Sequence, residues 1–423
     1  MRKNSRSRYL SKSLFIRGLQ CHKSLYLEKY KPELKPPISE QTEALFKSGH
    51  LVGGLAQQLF PGGIEIPYDG NTYEEQISMT GNEISRGARD LYEAAFSYDG
   101  VFVKLDILHK GKKGWEIYEV KSSTEVKDVY LPDAAVQYYV VKGSGLPVSR
   151  VFIVYINNEY VRQGEIEPEK LFTVVDITEP VIEEQPLVAE EIMCQKKMLQ
   201  SKMPAIDIGT HCDDPYECDF KGYCWAHIPE YSVFDLKGKG CNAFDLYSAG
   251  IIRFKDIPVD TLKPPQRMQV EAYLKKKDFI DPDGVRAFLK ALSYPLCFLD
   301  FETLMSAIPL WDGIRPWQQV PFQFSLHILE KEGARLKHFE HLALPNRDPR
   351  SDLVEELLHA IPSGACIVHY TAFEKTRLID LAAWFPKHRK RIEEIMGNMV
   401  DLAAPFRSRC LYLWQMNGSY SIK

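Results

Sequence analysis

No run of about eighteen apolar residues interrupts this chain, so the sequence offers no membrane-spanning helix. Neither sign of charge prevails: 53 Lys and Arg stand against 57 Asp and Glu, a net of −4. That balance excludes a polycation, and any surface for nucleic acid has to be local. Internal repeats and low-complexity tracts are missing, which excludes solenoid, collagen-like and wholly disordered chains. Cysteines number only nine, an odd count scattered over a long chain, which fits reduced thiols or metal ligands better than a disulfide framework. The basic N-terminus leads into polar, cysteine-containing sequence in place of a secretory apolar segment, and the protein is expected to be soluble and cytoplasmic, without a membrane partner. What is present is a globular composition, 45% hydrophobic and 26% charged, and 423 residues, enough for two or three domains.

Charge is unevenly spread along the chain. Met1 to Lys35 holds ten Lys and Arg against Glu28 and Glu33, whereas Val161 to Gln195 holds nine Asp and Glu against Arg162 and Lys170. The basic stretch could meet a phosphate backbone, and a solvated tail accounts for it equally. Helical periodicity covers 14–30 and 41–60, the second ending at Pro61-Gly62-Gly63. Residues 83–96 read as a third helix or as a helix passing into a strand. Residues 101–109 and 115–121 read as two strands joined by a Gly-Lys-Lys-Gly turn, 133–141 as a helix and 150–156 as a buried strand. Residues 165–186 read as edge structure and linker, and 188–199 as a helix. From 244 to 290 the pattern is mostly helical, and Leu246 to Ile251 resembles one helix-hairpin-helix unit or an ordinary glycine-capped helix. A new α/β pattern starts at Leu296. The expected class is therefore α/β, with domains at 10–228 and 293–423 and a helical connector at 229–292.

Asp106 lies on the first strand of the hairpin, and Glu119 and Lys121 lie two residues apart on the second, so they share one face of it. A tight turn brings all three together. Two carboxylates cluster readily where a cation compensates them, and Asp106, Glu119 and the Val120 carbonyl are hard oxygen donors suited to Mg²⁺ or Mn²⁺. Lys121 could then orient or deprotonate an attacking water and balance charge. A solvated strand pair is the plainer alternative.

The segment from Gly100 to Asp106, followed by Glu119-Val120-Lys121, resembles the PD-(D/E)XK signature of RecB-type nucleases. That resemblance implies a restriction-endonuclease-like core and phosphodiester hydrolysis, with Asp106, Glu119 and Lys121 at the centre. Gln137-Tyr138 resembles the family's Gln/Tyr motif and implies a role for Gln137 beside the metal, although position 141 is Val where the family has Tyr. Residues 49–53 resemble the helix that carries a metal-binding His in many relatives. Gly53 stands at that place, and His50 is out of register. Glu93 is either an added carboxylate or a surface group.

Cys212, Cys218 and Cys224 recur with five residues between them in a polar loop, and Cys21 is the candidate for a fourth thiolate. One cysteine near the N-terminus and three after the nuclease core resemble the iron-sulfur staple of RecB-family nucleases, which implies a 4Fe-4S cluster. Zinc is the rival, since His211 and His227 flank the set, and buried cysteines without a metal are the plainer alternative. Cys194, Cys241, Cys297, Cys366 and Cys410 read as packing residues.

Residues 296–302 (LCFLDFE) form an apolar strand ending in Asp300 and Glu302 on one face. His369 to Glu374 resembles the second motif of DnaQ-like exonucleases with Glu in place of Asp, and Val400-Asp401-Leu402 resembles the downstream element. The resemblance implies an RNase H-like domain with a two-metal site at Asp300, Glu302, Glu374 and Asp401, its last motif expected beyond residue 423. The whole resembles an uncharacterised bacterial family joining the two modules. It implies a metal-dependent exonuclease on single-stranded or end-containing DNA. An RNA nuclease, or a nucleic-acid-binding adaptor in which cluster and exonuclease domain are only structural, stays open.

Overall fold

The computed structural model describes residues 9–422, so the first eight residues of the basic stretch lie outside them. The chain divides into two compact units. One runs to His227 and includes Ala307–Trp317; the other comprises Ile228–Ser306 and everything described from Gln318 onward. Residues 229–292 thus group with the C-terminal α/β segment, and the short stretch 307–317 with the first unit. Among the described residues, no helix is long and apolar enough to cross a membrane.

The first unit is mixed α/β. Its sheet contains β1 (Leu10–Ser11), β2 (Ile64–Glu65), β3 (Asp90–Tyr98), β4 (Val101–Lys110), β5 (Trp115–Lys121), β6 (Val148–Ile156) and β7 (Phe172–Asp176). The order is β2-β3-β4-β5-β6-β7, with β1 pairing parallel to β4. Helices α1 (Lys12–Gln20), α2 (His22–Tyr30), α3 (Glu40–Ala56), α4 (Tyr73–Ser85), α5 (Tyr130–Gly143), α6 (Pro168–Leu171), α7 (Thr178–Glu183), α8 (Gln185–Leu199) and α9 (Lys221–Cys224) complete it. Strands β4 to β6 are apolar on both sides, and two cores follow. Phe15, Ala134, Val136, Val188 and Ile192 pack with Val103 and Leu105 in one. Val52 and Ala56 pack with Ile107, Tyr118 and Val154 in the other.

The helix expected over 14–30 is two helices, because Cys21 between them is extended (φ −164°, ψ 117°). Apolar periodicity persists across a single extended residue, so the break left no mark on the pattern.

The second unit opens with α10 (Ala243–Ser248), α11 (Pro264–Lys275), β8 (Phe279–Ile280) and α12 (Pro282–Leu289). This region is less helical than its pattern suggests. Gly250, at φ 80°, follows α10, and Pro264 and Pro265 occupy the first turn of α11, the part of a helix that admits proline. The main sheet holds β9 (Leu296–Leu304), β10 (Val320–Leu329), β11 (Lys337–Leu342), β12 (Cys366–His369) and β13 (Met399–Asp401) in the order β11-β10-β9-β12-β13. Helices α13 (Arg350–Ala360), α14 (Phe373–Trp384), α15 (Arg389–Gly397) and α16 (Ala404–Arg407) follow their strands, and β14 (Leu411–Tyr412) pairs with β8. On β9, Cys297, Leu299 and Phe301 enter the core while Phe298, Asp300 and Glu302 face outward, the alternation a half-covered strand requires.

Candidate functional site

A fork in the first sheet builds the site. Strands β4 and β5 pair from Ile107–Tyr118 to Lys110–Trp115 and no further. Beyond that point β4 continues against β3, and at its other end takes β1 through Leu10–Val101 and Ser11–Phe102. Strand β5 continues against β6 as far as Lys121–Tyr155. Past the last paired rung, the Val120 N–H donates to the Asp106 carboxylate (Oδ2, 2.6 Å). The side chain thus satisfies a backbone donor that the ladder has released.

Glu119 is buried to 2% exposure, and both of its oxygens accept hydrogen bonds. Lys12 Nζ (2.9 Å) and Lys121 Nζ (2.8 Å) donate to Oε1, while Gln137 Nε2 donates to Oε2 (2.6 Å). Gln137, fully buried on α5, also donates to the Lys104 carbonyl at 3.1 Å. Lys121 Nζ donates in addition to Asp133 Oδ2 at 2.6 Å. Three carboxylates and two ammonium groups therefore share one pocket of low dielectric.

Their ionisation follows from that arrangement. Burial, reinforced by the Glu119 charge, pushes Asp106 up to about 7. Burial alone would raise Glu119 too, but the Lys12 and Lys121 ammonium groups outweigh it and hold the carboxylate below its ordinary range. Lys121 is raised, since Glu119 and Asp133 overcome the cost of burying its charge. Lys121 is thereby held protonated, a donor with no lone pair with which to take a proton from water.

The fork brings together Asp106, Glu119, the Val120 backbone, Lys121 and Gln137. Tyr138 instead enters the core and accepts from Lys142 Nζ (3.0 Å). His50 is exposed on α3. Glu93 lies within β3, at φ 56°, between the rungs Tyr92–Ile107 and Ala94–Leu105, and its carboxylate pairs with Lys104. Sequence reasoning missed Lys12 and Asp133. Asp133 carried no signal beyond its place near a helix start. Lys12 did carry one, since it follows the helix-capping Ser11 at a position where a cation opposes the helix dipole.

Cys21, Cys212, Cys218 and Cys224 line one small cavity together with Lys23 and His211. Loop and helix are tied by Gln20, whose Nε2 donates to the carbonyls of His211 (2.8 Å) and Tyr216 (2.7 Å). Burial raises the Cys21 and Cys224 thiols, with the neighbouring thiols adding to it. Among the described residues, no three His, Cys, Asp or Glu side chains stand close enough as placed to hold a single metal ion.

In the second unit, Asp300, Glu302 and Glu374 line a cavity of about 760 Å³ with Tyr370, Phe406 and Arg409. Glu374 is buried at the start of α14, 3.8 Å from His369 Nδ1. Asp401 is not among the cavity's lining residues. Its Oδ1 accepts from Thr371 N–H and Ala403 N–H at 2.9 Å each, and Arg407 binds Oδ2. Burial would raise Asp401, but those donors hold it low.

Among known proteins, a family model described as a domain of unknown function (DUF2779) matches residues 297–421. An uncharacterized protein of Mycoplasma genitalium, MG366, is 28% identical over 168 residues, covering 36% of this chain. Its Mycoplasma pneumoniae homolog is 26% identical over 165 residues. The chain spans about a quarter (25%) of the length of these relatives. A crystal structure of a phage related exonuclease from Haemophilus somnus covers 38% of this chain and 82% of its own at 12% identity, with a TM-score of 0.19, too low to carry the fold.

Proposed function

We propose that the first unit is a divalent-metal-dependent nuclease of the RecB-like PD-(D/E)XK type, hydrolysing phosphodiester bonds in single-stranded or end-containing DNA. The observation that carries this reading is the convergence of Asp106, Glu119, Lys121 and Gln137 at the strand fork, since buried carboxylates side by side demand compensating charge. The donor set suits a hard cation, with Asp106, Glu119 and the Val120 carbonyl as its ligands. Bound there, Mg²⁺ or Mn²⁺ supplies Lewis-acid polarisation of a phosphoryl oxygen. Lys121 orients the attacking water by donation and offsets charge developing on the phosphate, while Asp133 holds the ammonium in place. Gln137 fixes the Glu119 carboxylate through Oε2, leaving Oε1 to face the fork.

The four cysteines are read as ligands of a 4Fe-4S cluster. The four thiols line one cavity, and one thiolate per iron is the ligand set such a cluster takes. The second unit is read as an RNase H-like module whose Asp300, Glu302 and Glu374 face a common cavity.

Purified protein with end-labelled single- and double-stranded DNA and Mn²⁺ tests the activity. Wild type should cleave, and Asp106→Ala should lose cleavage by about a hundredfold or more while its thermal midpoint stays within a few degrees. Full activity in Asp106→Ala would remove the fork from the chemistry. Parallel assays on RNA of the same sequence decide the sugar.

A further inference from the structure

Lys12 is the group at the fork that neither the hairpin motif nor the metal ligands require. It sits at the first position of α1, where helix N–H dipoles disfavour a cation, and α1 has no acidic residue in its first turn to offset this. Its compensation comes from 107 residues away, at Glu119 Oε1, 2.9 Å distant. The short parallel pairing of β1 with β4 delivers it there, because Ser11 is the last paired residue and Lys12 the next. Lys12 and Lys121 therefore occupy the same carboxylate oxygen, the one facing the fork.

Charge counting assigns the two ammonium groups different fates. Asp106, Glu119 and Asp133 carry up to three negative charges against two positive ones. A divalent cation would tip that sum to about +1, the charge one phosphodiester neutralises. Lys121 keeps Asp133 as a partner if Glu119 turns to a cation, whereas Glu119 is the only ion-pair partner found for Lys12 among the described residues. A cation arriving at Glu119 Oε1 also repels a neighbouring ammonium.

On the reading of the fork as a metal-dependent nuclease site, we propose that Lys12 holds the place of the divalent cation on Glu119 and, once displaced by it, binds a phosphate oxygen of the DNA strand. Lys12 then couples the two ligands: metal entry frees the cation that receives the substrate. Its flexible stem and compact ammonium suit such a transfer.

Two measurements test it. Mn²⁺ affinity, read by electron paramagnetic resonance without DNA, should rise roughly fivefold in Lys12→Met, since the competing charge is gone. Affinity for a short single-stranded oligonucleotide, measured against salt with Ca²⁺ in place of Mn²⁺, should lose about 0.7 of its logarithmic salt slope in Lys12→Met, the share of one phosphate contact, and keep it in Lys12→Arg. A Lys12 that only braces the fold would move neither quantity in this way. Should Lys12→Met fail to fold, Lys12→Gln, which keeps a neutral donor to Glu119, carries both expectations. Unchanged or weaker Mn²⁺ binding in the neutral variant, or an unchanged salt slope, overturns the proposal. Absence of Mn²⁺ binding in the wild type, with Glu119→Gln indistinguishable from it, overturns the nuclease reading itself, and the proposal with it.

Discussion

Asp106 is the residue at which the fork's electrostatics become measurable. Its pKa in the folded chain lies near 7, raised first by burial and then by Glu119. A carboxyl whose folded value exceeds its unfolded one contributes stability that is complete below the unfolded value, about 4, and is lost as pH rises through the folded value. Glu119, shifted downward, acts only at pH below its ordinary range, so between pH 5 and 8 Asp106 is the fork carboxyl that contributes, while His369, lowered by burial, acts there in the opposite sense. In chelator, the Asp106 share of the unfolding free energy should fall across that window, by at most about 1.4 kcal/mol per pH unit for one proton. Asp106→Asn should remove this part of the slope, and Mn²⁺ should flatten it in the wild type. Urea midpoints at four pH values check this, and identical slopes in wild type and Asp106→Asn would contradict it. Asp106, Glu119 and Lys121 were legible in the sequence because strand alternation and a short turn fix their common face. Asp133 was not, and Lys12 showed only an unfavourable place at a helix start, because their partners are set by helix packing and by strand pairing.

At the scale of elements, the fork and the helix break matter most, and each was half-visible. The hairpin strands were read to within a residue or two, since apolar alternation and a glycine-bounded turn are local signals. The end of their pairing at Ile107–Tyr118 was not readable, because both strands keep strand character beyond it on other neighbours. Likewise, periodicity carried a single helix through 14–30, while extended Cys21 divides it and lies on the cavity shared with Cys212, Cys218 and Cys224. If those thiols hold a cluster, it ties the junction of α1 and α2, and with it Lys12, to the loop after α8. Anaerobically purified protein should then absorb broadly near ~400 nm, and Cys21→Ser should lose both the colour and thermal stability, since ligand binding is coupled to folding. A colourless protein with one equivalent of zinc would reassign the site. The connector region shows the reverse failure: residues 244–290 carry helical composition, but prolines and a left-handed Gly250 confine helix to short pieces.

Across the whole molecule, two acidic centres lie in two separate units, and their local chemistry differs. At the fork, buried carboxylates are balanced by lysines and aligned by Gln137. In the second unit, Asp300, Glu302 and Glu374 face a cavity, but Asp401 is committed to Arg407 and two backbone donors, so a two-metal arrangement is short of an anchoring carboxylate there. The sequence motif names Asp401 as a ligand from residue type and spacing, and these do not record the Arg407 side chain and backbone donors that occupy it. On the proposed reading, phosphodiester chemistry is therefore expected in the first unit. The most direct measurement is the rate at which wild type, Lys121→Ala and Asp300→Ala cleave labelled single-stranded DNA with Mn²⁺, at equal salt and after matching their thermal midpoints. Lys121→Ala should lose roughly a hundredfold or more, the scale of a positioned proton donor, while Asp300→Ala stays within a few-fold of wild type. An inactive Asp300→Ala beside a fully active Lys121→Ala would contradict this and move the nuclease centre to the second unit.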